Sequence, residues 1–420
     1  MNVAKAYAGI LEEELVPAMG CTEPIAIAYA AAIAREVLEA FPEKILVECS
    51  GNVIKNVKSV SIPNTDGLCG IEAAAVAGAV AGDRKKKMEV ISEVTSEQKE
   101  EIRRKTAGRI CRVACLHGDA NLNIRITMEK GKETSEVQIN DTHTNVVLVK
   151  KNGELLFQKD CKEGRKDVLS DRSWLTVAGI YEFAAEADLA PFIRLLENQI
   201  RDNEAIAREG MKNPYGASIG RAAEAVFQNR YSHGIAYASA GSDARMSGCQ
   251  MSVVTNSGSG NQGITVSVPV ITCAREQGSE EESLYRALLA ANLIAIHIKT
   301  GIGRLSAYCG VVCAAAGAFA GIAFLEGQKV EVVERMITNH LGTISGMVCD
   351  GAKESCASKI ASALFSAMLG YEMAKENTVF RNGCGIIRDN VENTIDAVCT
   401  VGCMGMKETD QVILDLMTNP

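Results

Sequence analysis

Apolar positions in the first forty residues recur at helical spacing and are interrupted at Met19-Gly20-Cys21. A second helix is predicted to begin at Thr22, since Thr can cap a helix and Pro24 suits a first helical turn. Ala and Ile residues continue the apolar face of this helix. The pattern therefore predicts a pair of helices over residues 1–41.

Short runs of alternating apolar residues replace the helical pattern between residues 42 and 165. Strands are predicted over residues 45–49, 57–62 and 88–94. β-Hairpins are predicted over residues 110–149, for example at 122–127 and 144–149, with a hairpin turn at 150–153. Helices are predicted over the Ala-rich residues 71–82 and the charged residues 96–109. A polar run at 159–172 is predicted to mark the end of this small α+β domain.

From Ser173 onward the spacing is helical again, with Gly-rich interruptions. Residues 305–325 carry no charge and are long enough to span a bilayer, but their Ser, Tyr and Cys residues favour a buried core helix. The predicted fold class is α+β. A large, mostly helical C-terminal domain over residues 166–420 is joined by the smaller α+β domain, over 42–165. That smaller domain is inserted after the N-terminal helical pair, which is expected to pack on the C-terminal domain.

The net charge is −8, and no basic face is apparent, so the chain is not expected to bind nucleic acid. The start of the chain has acidic residues at Glu12, Glu13 and Glu14 and lacks the pattern of a signal peptide. We therefore expect a cytoplasmic protein that binds a small molecule and no membrane. The oligomeric state is left open, with a homo-oligomer as one alternative.

Fifteen cysteines are many for a chain in a reducing compartment, where thiols act as small apolar side chains or as metal ligands. There is no Cys-x-x-Cys pair, so the spacing matches neither a zinc ribbon nor a ferredoxin. Cys309 and Cys349 stand beside glycines in unusual local sequences, and Cys356 lies seven positions after Cys349. Three such thiolates can hold a cubane and leave one iron open to substrate. Cys399 and Cys403, four residues apart, remain an alternative pair of ligands.

Three segments between residues 246 and 363 resemble the α-chain of iron–sulfur L-serine dehydratases. They are the loop Thr255-Asn256-Ser257-Gly258-Ser259-Gly260-Asn261, Tyr308-Cys309-Gly310 and Val348-Cys349-Asp350. The short gap from Cys349 to Cys356, and Gly20-Cys21-Thr22-Glu23-Pro24, are similar to the L-cysteine desulfidase branch instead. Some dehydratases use a cysteine at the C-terminus to occupy the cluster, whereas this sequence ends Met417-Thr418-Asn419-Pro420.

The resemblance implies a [4Fe–4S] cluster held by Cys309, Cys349 and Cys356, with Cys21 in the active site. It also implies β-elimination of L-cysteine to pyruvate, ammonia and sulfide. Dehydration of L-serine by the same machinery is the nearest alternative, and a non-catalytic cluster or thiol sensor is a second one. No pyridoxal phosphate is expected, because nothing resembling its phosphate site accompanies Lys299.

Cys21 and Glu23 are the predicted catalytic residues. A thiol at a helix N-terminus faces free N–H groups and the positive end of the helix dipole, which predicts a lowered pKa for Cys21. The loop side chains and N–H groups of Asn256, Ser257, Gly258, Ser259, Gly260 and Asn261 are predicted to bind the substrate carboxylate. Asn64 and Thr65, in a second Gly-containing turn, are predicted to form a further anion site.

Overall fold

The computed structural model describes residues 3–116, 122–159, 170–226 and 228–418. It confirms an α+β fold, with a six-stranded sheet in the N-terminal part and helices in the C-terminal part. Residues 160–169, in the polar run predicted as a boundary, lie outside the described residues.

The N-terminal part contains short helices and all but one of the described strands. Its helices are α1 (Val3–Glu14), α2 (Thr22–Leu38), α3 (Gly51–Val57), α4 (Gly70–Ala81) and α5 (Ser96–Ala107), with a 3₁₀ helix at Arg84–Glu89. Its strands are β1 (Pro17–Met19), β2 (Lys44–Ser50), β3 (Cys111–Leu116), β4 (Asn123–Lys130), β5 (Glu133–Asn140), β6 (Val146–Lys151) and β7 (Glu154–Gln158). The sheet order is β3-β2-β4-β5-β6-β7, and only the β2–β3 pair is parallel.

The C-terminal part is helical apart from one short strand. Its elements are α6 (Val177–Glu186), α7 (Ile193–Lys212), α8 (Ile219–Val226), α9 (Ser232–Met246), β8 (Ser252–Val254), α10 (Gly260–Gln277), α11 (Glu281–Ile302), α12 (Val311–Leu325), α13 (Val330–Ile344), α14 (Ser355–Lys375), α15 (Val391–Thr400) and α16 (Lys407–Thr418). Most of the uncharged segment forms the buried helix α12, and no described helix is long and apolar enough to cross a bilayer.

Two separate apolar cores hold these elements together. One contains α1 and the C-terminal helices, and the other contains α2, α4 and the six-stranded sheet. The prediction that both N-terminal helices pack on the C-terminal domain is therefore wrong for α2. This helix covers the sheet, where Ser135 Oγ donates a hydrogen bond to the Ala34 carbonyl at 2.8 Å. An apolar sheet face has to be covered, and the Ala-rich α2 lies flat against it.

Two predicted strands are also wrong. The chain after β2 turns into α3, and residues 57–62 form only an isolated bridge at Ser61. Residues 88 and 89 end the 3₁₀ helix, and residues 90–94 form no strand. Both segments contribute buried apolar side chains to the second core. A buried loop and a buried strand can show the same run of apolar residues, so the sequence pattern alone could not tell them apart.

A two-stranded ribbon joins the parts that the two cores define. β1, between α1 and α2, pairs antiparallel with β8, and Pro17 lies opposite Val254. Beyond the ribbon, the Thr255 N–H donates to the Val16 carbonyl at 3.0 Å and Thr255 Oγ1 donates to the Glu14 carbonyl at 2.8 Å. These bonds place the start of α2 beside the loop that follows β8.

The close crossing of α2 and α4 gives a first prediction. A Cβ added at Gly78 would lie 2.1 Å from the Ala28 carbonyl oxygen, so Gly78→Ala must push two buried helices apart. We expect the free energy of unfolding to fall by about 2 kcal/mol or more, the scale of overpacking a core. Chemical denaturation would measure it. Gly108→Ala is the control, because its nearest neighbours lie at 3.4 Å, and an equal loss there would contradict the prediction.

Candidate active site

One cavity, of about 100 Å³, lies where the two cores meet. Four helices begin at it, since Thr22 of α2, Asn261 of α10, Val311 of α12 and Cys356 of α14 all line it from their first turns. Free N–H groups and the positive ends of the helix dipoles therefore face the cavity. The arrangement favours an anionic occupant.

Three of the predicted ligands, Cys309, Cys349 and Cys356, line this cavity together. The segments around Cys309 and Cys349 run antiparallel: the Cys309 N–H donates to the Met347 carbonyl at 3.0 Å, and the Cys349 N–H donates to the Ala307 carbonyl at 2.7 Å. Cys356 joins them from the first turn of α14. Backbone pairing, and not side-chain packing alone, brings the first two thiols together.

The electrostatics favour a thiolate at this position. The hydrogen bond that Cys309 donates lowers the pKa of Cys349 to about 6, and the positive charges of Lys55 and Lys299 act in the same direction. Both lysines are buried and line the cavity. Lys55 is held by an ion pair with Asp410 of α16, and burial lowers the pKa of Lys299. The thiolate is the form in which Cys binds iron.

The chemistry of the donor set, three thiols at one cavity, is of the kind that a multi-iron cluster uses. Within the described ranges, no three Cys, His, Asp or Glu side chains lie close enough together to hold one metal ion. A cubane does not need its cysteines to converge on one point, because each cysteine binds a different iron atom of the cluster. Three cysteines on separate segments around one cavity, with buried cations behind them, match that requirement.

Cys21 and Glu23, the predicted catalytic pair, lie at the same cavity. The Cys21 thiol donates a hydrogen bond to Glu23 Oε2 at 3.3 Å, and Asn56 Nδ2 donates to Glu23 Oε1 at 3.0 Å. His143, from the loop between β5 and β6, places its Nε2 atom 3.8 Å from Glu23 Oε1. That Nε2 atom is buried and has no hydrogen-bond partner.

The predicted lowering of the Cys21 pKa is wrong. Cys21 does precede the first turn of α2, but burial raises the pKa of its thiol well above the ordinary value, and the Glu23 carboxylate raises it further. Burial also raises the pKa of Glu23, yet the His143 imidazole and the hydrogen bond from Cys21 outweigh it and hold that pKa at about 2. The pair is therefore a neutral thiol donating to a carboxylate.

The Gly- and Ser-rich loop turns sharply at the cavity. Ser257 and Gly258 both have positive φ, at 51° and 77°, and Ser259 caps α10. Ser257, Gly258, Ser259 and Asn261 line the cavity. Asn256 lies behind them, where its amide donates to Asn292 Oδ1 at 3.0 Å and its oxygen accepts from Ser257 Oγ. Gly260 contributes no side chain.

Asn64 and Thr65 are not brought to this cavity. Asn64 Nδ2 donates to the Ile91 carbonyl at 2.8 Å, and Thr65 Oγ1 donates to the Ile62 carbonyl at 2.7 Å. Both side chains are buried and tie neighbouring loops together. Cys399 and Cys403 also lie elsewhere, since Cys399 is buried against the Ile298 carbonyl and Cys403 is exposed.

Sequence reasoning did not single out His143, Arg245 or Lys55 as residues of the site. His143 lies in a polar loop and Lys55 in a short helix, and neither has a motif around it. Arg245 carried one usable signal. It lies near the end of α9, a helix made mostly of Ala, Ser and Gly, where a charge that becomes buried needs a partner.

Residues 85–415 match the serine dehydratase alpha chain family. The UPF0597 protein of Desulfitobacterium hafniense is 50% identical over 416 residues, covering 99% of this chain and 97% of that protein. The UPF0597 protein of Lachnoclostridium phytofermentans is 47% identical, covering 99% and 100%. That of Treponema denticola is 44% identical, covering 98% and 97%.

These relatives carry names that specify no substrate, whereas the family match points to a lyase of the dehydratase kind. Members of that family are generally iron–sulfur dependent and do not use pyridoxal phosphate. The match covers most of the sheet and the C-terminal helices up to residue 415 in α16, including the segments of Cys309, Cys349 and Cys356. The chain belongs to the serine dehydratase alpha chain family.

Proposed function

We propose that the protein is a [4Fe–4S] enzyme that converts L-cysteine to pyruvate, ammonia and sulfide by β-elimination. The observation that supports this most is the meeting of Cys309, Cys349 and Cys356 with Cys21 and Glu23 at one buried cavity. Cys21 and Cys356 are more than three hundred residues apart in sequence, so this meeting is a property of the fold.

Cys309, Cys349 and Cys356 would hold the cluster, with Lys299 and Lys55 balancing the charge of the thiolates. When bound through three cysteines, such a cluster has one iron without a protein ligand, which supplies Lewis acidity toward the substrate. Ser257, Gly258 and Ser259 line the same cavity and would orient a small amino acid in it.

Cys21 would move the α-proton of the substrate. Its thiol donates a hydrogen bond to the Glu23 carboxylate, which would take the thiol proton before Cys21 acts as the base. The resulting thiolate takes the α-proton, and the electrons of the Cα–H bond form a Cα–Cβ double bond. The Cβ–S bond breaks, and its electron pair leaves on hydrosulfide. The aminoacrylate product then tautomerises, and water hydrolyses it to pyruvate and ammonia.

L-Serine dehydration is the second candidate function, and the family match favours it. The same cavity and the same proton path would serve, with water as the leaving group. The Gly20-Cys21-Thr22-Glu23-Pro24 segment and the short gap from Cys349 to Cys356 are the reasons to place L-cysteine first. A non-catalytic sensor has less support, because it has no need of the pair formed by Cys21 and Glu23.

Anaerobic reconstitution with iron and sulfide, followed by assays with L-cysteine and L-serine, tests this proposal. We expect pyruvate and sulfide in equal amounts from L-cysteine, at a kcat/KM at least tenfold above that for L-serine. Activity should disappear in air and return after reconstitution. A preference for L-serine would favour the second function. Activity in iron-free protein that depends on added pyridoxal phosphate would contradict both.

A further inference from the structure

Arg245 is a buried cation that the proposed proton path and cluster do not use. It lies at the C-terminal end of α9, is only 3% exposed, and lines the cavity together with Cys21 and Cys356. Its Nη1 atom donates to Asn261 Oδ1 at 3.1 Å, but its Nε–H is buried and has no hydrogen-bond partner. A buried guanidinium with an unsatisfied N–H donor lowers the stability of the fold unless a ligand accepts a hydrogen bond from it.

The other arginine of the cavity, and Lys55, already have carboxylate partners. Arg304 donates to Glu14 at 2.7 Å, and Lys55 pairs with Asp410. No carboxylate in the described ranges forms an ion pair with Arg245, and Asp243, two residues earlier on α9, accepts from the Gly220 N–H instead. The positive charge of Arg245 is therefore available to something that enters the cavity.

The neighbouring loop leaves room for this guanidinium. A Cβ at residue 260 would lie 2.5 Å from Arg245 Nε, so only glycine fits at that position without moving the arginine. Asn261, the next residue, fixes Nη1. Arg245 and the loop thus form one surface, with a planar fork of donors beside the first turn of α10. Such a fork matches the two oxygens of a carboxylate.

We infer that Arg245 binds the α-carboxylate of the substrate and restricts the enzyme to amino acids with a free carboxylate. This inference rests on the proposed function, because it names the group by which that substrate is recognised. Its consequence is that cysteamine, which has the thiol and the amine of cysteine but no carboxylate, gains nothing from Arg245. By contrast, 3-mercaptopropionate keeps the thiol and the carboxylate and should depend on it.

The test compares these two probes in Arg245→Gln and in the unchanged protein, by anaerobic titration calorimetry on reconstituted protein. We expect the Kd of 3-mercaptopropionate to rise about 10- to 100-fold, the usual scale for a hydrogen-bonded charge, while that of cysteamine stays within threefold. Arg245→Lys keeps the charge without the fork and should give an intermediate rise. Arg208→Gln, at an exposed helix position, is the control and should change neither.

Thermal unfolding without ligand separates binding from a structural role. Removing an uncompensated buried charge should leave Tm unchanged or raise it, whereas an arginine that holds the fold together would lower it. Equal weakening of both probes, no weakening of either, or variants that fail to fold would overturn the inference. If the unchanged protein turned over neither L-cysteine nor L-serine, the proposed function would fail, but the two Kd values would still decide the role of Arg245.

Discussion

Reconstituted protein in which Cys309, Cys349 or Cys356 is replaced by Ala should contain no intact [4Fe–4S] cluster and should lose all measurable turnover. Each thiol comes from a different segment of the cavity wall. The other cysteine that lines the cavity is Cys21, which could replace a lost ligand only by leaving its own position. Iron and sulfide analysis, together with the broad visible absorption of the cluster, would measure the loss. All three single variants should show it.

Cys313→Ala is the matched control for this experiment. Cys313, in α12, lies one turn beyond Cys309 and is also buried, but it does not line the cavity. Its replacement should cost some stability and leave the iron content unchanged. If all three predicted ligand variants kept a full cluster, or if Cys313→Ala lost it as they did, the assignment of the ligands would be wrong.

Cys21→Ser should keep the cluster and lower kcat by about 10²-fold or more, the scale for losing a general acid or base. A serine hydroxyl can still donate to Glu23, but it gives up its proton far less readily than a thiol. The α-proton transfer should therefore become fully rate-limiting. Assays with L-cysteine deuterated at the α-carbon would show this as a larger isotope effect in Cys21→Ser than in the unchanged enzyme.

Cys69→Ser controls for the effect of changing a cysteine at a helix start. Cys69 precedes α4 just as Cys21 precedes α2, but it is exposed and lies away from the cavity. It should retain full iron content and normal kcat. Near-normal turnover of Cys21→Ser would reduce Cys21 to a packed residue at a helix start, and would leave Glu23 or Lys299 to move the proton.

Local patterns were enough to predict α2, α4 and most of the sheet. The start of α2 at Thr22 followed from a cap and from Pro24, and both act within one helical turn. The pairing of β1 with β8 could not be found in this way. Each strand has only three residues, and what makes them strands is a partner more than two hundred residues away.

Site residues could be predicted where they stand in a local sequence motif. They could not be predicted where only the three-dimensional fold brings them to the cavity. Cys309, Cys349 and the loop of Ser257 stand in distinctive local sequences. The positions of His143 and Arg245 at the cavity depend instead on how the two cores meet. The direction of the Cys21 pKa shift was predicted wrongly for the same reason. The sequence reveals the helix dipole, which lowers the pKa, but it does not reveal the burial of Cys21 or the nearby Glu23 carboxylate, which raise it more.

The four helix starts around the cavity also set an order of events during synthesis. Their residues run from Cys21 to Cys356, so the wall of the cavity is incomplete until the ribosome has made most of the chain. The second core, built from residues before 150, can form early, while the pairing of β1 has to wait for β8. In the proposed enzyme, iron and sulfide can therefore be delivered only after most of the chain has been made. Until then the three thiols that would hold the cluster lie on segments that have not yet met.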